Sequence, residues 1–414
     1  MRTFLIILAI VAVVIGGVAL YLALTTPSAA TPVRFPLSAS QRALIARVPA
    51  AADSFALIPT AALLHKRLLA NPVTRDAVER WTNEHDVPKP WMLGGADAVV
   101  WRRAKKISYA IRLDPFRAFL VRLWLMSSTN ANGVWDGSVF VIGQSGPPLD
   151  ARALNELLAL TNGLPEGDFF AVQRDPARGM FPPIGRPSVT SVRVTPAAID
   201  LVSRANVATA APSGRGAAEG SGTHMITARH PRSALLSATF ARPPRILGDV
   251  QRLLGTDLST LLGNGGSVAL YDIDAGTFLP RPKGVVSLPA SEQSRQTIGD
   301  FKSAIDLVGE TRDTGSEVLV SFDRQSMPLY IKDTFEPAAW PATAWSLRID
   351  AQRMPPILDK LSDSRGLRLV ASRVHRASRD LNRWTEALRQ ARSIEAADSI
   401  SGGFEELRVR IASK

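Results

Sequence analysis

Three hydrophobic patterns follow one another along this chain. The first is a continuous apolar run, Phe4 to Leu24, without a charged residue. As a helix it spans about 31 Å, which matches the roughly 30 Å hydrocarbon core of a bilayer. Arg2 and the α-amino group precede it, so the positive-inside tendency predicts a cytoplasmic N-terminus and a body outside the inner membrane. Cleavage as a signal peptide is the competing reading, with Ser28-Ala29-Ala30 as small residues for the site. The run exceeds the 7–15 residues of an ordinary signal-peptide core, which favours an uncleaved anchor. No later window is apolar over 18 residues, so the chain crosses a membrane once at most.

The second pattern is strand-like alternation. In Glu405–Ile411, Leu407, Val409 and Ile411 point one way and Arg408 and Arg410 the other. Strand-like runs also occupy Ser54–Pro59, Ser108–Leu113 and Val139–Gly143, then again Leu236–Ala241, Lys283–Leu288 and Val318–Phe322. Gly-Gly pairs at 94–95 and 265–266 each open a strand. Matching residues lie 171 (Ala96 to Ser267), 179 (Val139 to Val318) and 176 (Phe169 to Trp345) positions apart. Each series ends in a hairpin, Ser188–Val194 with Ala198–Ser203 and Ser393–Ile400 with Phe404–Ile411. Between them Ala208–Gly222 is rich in Ala, Gly and Ser and reads as a flexible linker. The division is a signal anchor and tether at 1–30 (transmembrane part about 4–24), a first repeat at 38–207, a linker at 208–222 and a second repeat at 223–414. The expected fold class is α+β: an N-terminal transmembrane helix, then two related α+β repeats with largely antiparallel sheets.

The third pattern is helical. Asp114-Pro115 is an N-cap with a first-turn proline, opening a helix over Pro115–Ser127. That helix is apolar on nearly all sides through Phe116, Phe119, Leu120, Leu123 and Trp124. Such a helix ordinarily lies in a core, here between the two segments; the other reading is an apolar-ligand wall or a membrane-interface helix with snorkelling arginines. A late helix, about Leu369–Ala391, is amphipathic, with Arg376, Arg379 and Arg383 opposite its apolar stripe. Those arginines are candidates for contact with an anionic surface, although a solvated face is the ordinary outcome. Arg102–Lys106 forms a basic hairpin tip.

Composition narrows the classes. The chain has 414 residues, no cysteine and a formal charge of +12. Absence of cysteine excludes disulfides, thiol catalysis and thiolate metal sites, and fits an exported protein. Forty of the 49 cations are arginine, yet no zinc-finger spacing, basic zipper or aromatic-basic stripe accompanies them, which speaks against nucleic acid. The five histidines are scattered and none pairs at metal-ligand spacing. Gly143-Gln144-Ser145-Gly146-Pro147 breaks the nucleophile-elbow pattern at its last position, and no Ser precedes a Lys by three. Asp272 and Asp274 fit a strand end better than a calcium loop. No catalytic, cofactor or metal residue is assigned, and catalysis is the minority reading.

Asp257–Leu262 running into Gly265–Leu270, and the closing Gly402-Gly403-Phe404 to Ile411, give the chain a likeness to a known group. It resembles a broad group of uncharacterised bacterial membrane-anchored envelope proteins with a duplicated α+β domain of unknown function. The resemblance covers about residues 40–414 at the level of pattern and carries over no catalytic residue. The leading expectation is a non-catalytic envelope protein, held in the inner membrane by its first helix, that binds a protein, an anionic lipid or a cell-wall polymer. Two alternatives stand beside it: a carrier of an apolar or lipid ligand in a cavity between the halves, and a cell-wall-directed hydrolase.

Overall fold

The computed structural model describes residues 32–84, 90–104, 106–127, 133–143, 146–175, 187–206, 226–241, 265–274, 281–363, 385–386, 388–401 and 403–414. Two compact units divide the chain, one of residues 1–196 with 201–206, the other of 197–200 with 207–414. The apolar run, the linker and most of the late helix lie outside the described residues. Among the described residues no helix is long and apolar enough to cross a membrane.

The first unit contains α1 (Ala39–Ile45), β1 (Ser54–Ile58), α2 (Ala61–Ala70), α3 (Pro72–Glu84), α4 (Pro90–Leu93), β2 (Ala98–Arg103) and β3 (Lys106–Arg112). It continues with α5 (Pro115–Ser127), β4 (Gly133–Asp136), β5 (Val139–Ile142), α6 (Ala151–Ala159), β6 (Phe169–Gln173), β7 (Ser188–Val194) and β8 (Ala198–Asn206), whose first residues, up to Asp200, group with the second unit. The second unit contains β9 (Ile226–Pro231), β10 (Leu236–Phe240), β11 (Gly266–Asp274), β12 (Arg281–Pro289), α7 (Glu292–Val308), β13 (Glu310–Asp313) and β14 (Glu317–Ser321). It closes with α8 (Ser326–Lys332), β15 (Phe335–Thr343), β16 (Trp345–Asp350), α9 (Met354–Asp363), β17 (Ala391–Ser401) and β18 (Phe404–Ser413). The fold class is α+β with antiparallel sheet, as the alternation predicts.

The strands of the first unit lie in the order β4-β5-β3-β2-β1-β6-β7-β8. Those of the second lie in the order β13-β14-β12-β11-β10-β16-β17-β18. Numbered in chain order with the separate β9–β15 pair left out, each order is fourth, fifth, third, second, first, sixth, seventh, eighth. Among the described residues, β9 and β15, which pair with each other, are the strands without a counterpart in the first unit. β1 is central, between β2 and β6, and its Ser-Phe-Ala-Leu positions are all buried, as expected of a strand covered on both faces.

Packing follows from these positions. Fully buried Phe55, Trp101, Phe140 and Phe170 belong to the first unit; burial of each such side chain contributes about 1.5–3 kcal/mol. Ala118 and Val121 of α5 pack with Ala98, Ile111, Leu113 and Phe140. In the second unit Ile298 of α7 packs with Phe240, Leu288, Val318 and Val320. Arg67 of α2 pairs with buried Asp168 at the entry to β6, and Asp168 Oδ2 also accepts from Val194 N at 2.7 Å. That pair ties the helix to the sheet.

Candidate functional site

The first unit carries two features on one helix. At its start, Asp114 Oδ1 accepts hydrogen bonds from Phe116 N and Arg117 N, both at 3.0 Å, and Oδ2 accepts from Arg117 Nη1 at 2.9 Å. The carboxylate satisfies amides that the first helical turn leaves open. Arg117 is buried, with its guanidinium against Gly94. Gly94 has a φ of +53°, and a Cβ there would overlap that guanidinium, so both the conformation and the close approach require glycine.

Beside this cap lies a pocket of about 570 Å³ lined by Asp97, Arg112, Asp114, Arg117 and Ser138 among others. Burial raises the pKa of Asp97, while the Arg112 guanidinium and a hydrogen bond from Gln41 pull it down. The lining carboxylates, Asp97 and Asp114, face two lining guanidiniums, Arg112 and Arg117. Charge here is internally compensated, which suits a polar seam that positions the helix better than an anion or cation trap.

Further along α5 the character changes. Ala118 and Val121 are buried, but Phe119, Leu123 and Met126 are 54%, 47% and 85% exposed. Spacings of four and three residues set these on one helical face. The helix expected to be enclosed is therefore buried on one side and bare on the other. Of the residues flagged from sequence, Phe119 and Leu123 lie on the bare face, while Phe116, Leu120 and Trp124 are half-buried. Arg122 sits 4.7 Å over the Trp135 ring, and Trp135 packs on Phe140 at 4.9 Å between centroids, which fixes the rotation of α5 over β4 and β5. Neither the 570 Å³ pocket nor a second, of about 470 Å³ between the 34–42 segment and α6, is lined by the five flagged residues. Arg376, Arg379 and Arg383 lie outside the described residues.

The second unit holds an arrangement that motif reading missed. His230 of β9 has Nε2 2.8 Å from Ser346 Oγ of β16 and Nδ1 2.9 Å from Ser237 Oγ of β10. A serine beside an imidazole is the nucleophile–base geometry of acyl transfer. His230 is 1% exposed and both serines are buried, so no substrate carbonyl reaches either hydroxyl. Burial, with Arg348 nearby, lowers the His230 pKa to about 4. No local sequence signal marks the cluster, because its members come from three strands. Among the described residues no group of three or more metal-ligating side chains occurs.

The hairpin tip is as the sequence predicts: Arg103 ends β2, Lys106 opens β3, both exposed, and Ala104 turns between them with a φ of 55°. Compared with known proteins, the chain matches no protein-family model, no curated protein and no solved structure.

Proposed function

We propose that the chain is a non-catalytic, membrane-anchored envelope protein whose body is two copies of one α+β unit, and whose first unit carries the binding face. The common strand order supports the duplication, since long-range orders of eight strands do not coincide easily. The observation that carries the binding face is the contrast between α5 and α7. α5 follows β3 and α7 follows β12, which holds the same place in its sheet, and buried Val121 and Ile298 lie 177 positions apart. At the same spacing Phe119, Leu123 and Met126 correspond to Gln296, Asp300 and Ser303, which are all exposed. The same three positions are thus apolar in one copy and polar in the other. The fold itself has no need of apolar residues there, and exposed apolar residues grouped on one face mark an interaction surface.

Phe4–Leu24 supplies the anchor in this reading, and the body lies outside the inner membrane. Fractionation and protease access test it. The full chain should stay in membranes through carbonate extraction, and its body should be digested by protease added to spheroplasts. Release by carbonate, or a body protected until the cells are lysed, would refute the proposal.

A further inference from the structure

We infer that the α5 face is a docking surface for the anionic bilayer in which the chain is anchored, so that the first unit lies against the membrane. The inference rests on the anchored reading and adds the identity of what the face binds. Val33 N donates to Gly167 O at 2.8 Å, which fixes the chain to the first unit nine residues after Leu24. Nine residue steps reach about 30 Å at full extension. An anchor ending near Leu24 therefore keeps the first unit within that distance of the bilayer.

Charge complements the apolar ridge. Residues 128–132 join α5 to β4, whose Gly133 pairs with Ile142, and Ile142 pairs with Tyr109. α5 thus runs back along β3, and its Met126 end lies toward the strand end that starts at Lys106. There the tip presents exposed Arg103 and Lys106. Ile107 is 43% exposed and shares the face of Tyr109 and Ile111, which pack beneath α5, so it extends the ridge. Two acids lie nearby: Asp53, whose Oδ2 accepts from Ala104 N at 2.5 Å inside the turn, and Asp175, whose N donates to Asp53 O at 3.1 Å. An apolar ridge flanked by cations suits an interface of acyl chains beneath anionic headgroups. In unit two the positions matching Phe119, Leu123 and Met126 are polar, and the outer side of α7 mixes Asp300 and Asp306 with Lys302 and, among the described residues, a single exposed apolar one, Leu307.

The chain has no cysteine, so a single probe can be placed at will. Full-length Met126→Cys and Ser303→Cys variants would each carry an environment-sensitive fluorophore. They would be reconstituted into phosphatidylcholine vesicles with or without one-third phosphatidylglycerol, and quenched by nitroxide-labelled lipid. The expected result is several-fold stronger quenching at 126 than at 303 in anionic vesicles. Arg103→Glu with Lys106→Glu should return the 126 signal to its level in neutral vesicles. Equal quenching at the two positions in chains that float with vesicles overturns the inference alone; chains that do not float count against the anchor. Quenching at 126 as strong in neutral as in anionic vesicles overturns the assignment to anionic lipid. Efficient crosslinking of Met126→Cys between two chains in the same vesicles, without quenching by the labelled lipid, would place another copy on the face and overturn the assignment to a membrane.

Discussion

His230 Nε2 lies 2.8 Å from Ser346 Oγ in the interior of the second unit, and its other ring nitrogen lies 2.9 Å from Ser237 Oγ. With a folded pKa of about 4 against 6.5 unfolded, the imidazole is neutral in the native state at neutral pH. The unfolded chain then binds the extra proton between those values. Stability from this group is present in full above pH 6.5, falls as pH drops toward 4, and is lost below, by about 3 kcal/mol in all. Urea unfolding from pH 8 to 4 should show that decline, and His230→Gln should flatten it. His230→Ala should also lower stability at pH 7.5 by about 2–4 kcal/mol, through a cavity and two hydroxyls left without the ring.

Gly94→Ala should destabilise by about 2 kcal/mol or more, since it adds a left-handed conformation for a non-glycine residue to an overlap with Arg117. Thermal melts of the single and double variants separate the two effects. Against an Arg117→Ala background, Gly94→Ala should retain only the backbone part, about 1 kcal/mol. An undiminished penalty would show that the guanidinium does not fill that space.

The Arg67–Asp168 pair is asymmetric, with Asp168 buried and Arg67 more than a third exposed. Arg67→Met strands a buried carboxylate, whereas Asp168→Asn leaves a cation that can turn to water and keeps an acceptor for Val194 N. Urea midpoints should therefore fall further for Arg67→Met than for Asp168→Asn. The reverse order would contradict the burial of Asp168 as the governing term.

Exchanging the outer face of α5 for its α7 counterpart (Phe119→Gln, Leu123→Asp, Met126→Ser) should change stability by no more than about 1 kcal/mol, because exposed positions contribute little to folding. Equilibrium denaturation measures this. A loss of several kcal/mol would mean that the face is part of the core.

Much of this fold was legible from local pattern, and the parts that were not share a physical cause. Asp114-Pro115 sets the start of α5, and alternation sets β17 and β18 within two residues. Strands β4 and β13 have four residues each, too few for a period to show, and both lie at the edge of their order. Helix α3 has no buried residue, so no apolar stripe announces it. Strand order is a matter of contacts far apart in sequence and has no local signal. The same holds for the candidate site. Sequence marks α5 as apolar on most sides, but which side stays bare depends on Trp135 and Phe140, which hold Arg122 and so set the helix's rotation. The His230 cluster is assembled from three strands and is invisible to spacing for the same reason.

The most direct test of the whole account is labelling of single-cysteine, full-length chains in living cells with a maleimide that crosses the outer membrane but not the inner one. The account expects Ser303→Cys to label in intact cells, and Met126→Cys to label only after detergent removes the bilayer. Equal labelling of both in intact cells would contradict docking of the first unit, and labelling of neither until the inner membrane is broken would contradict its export.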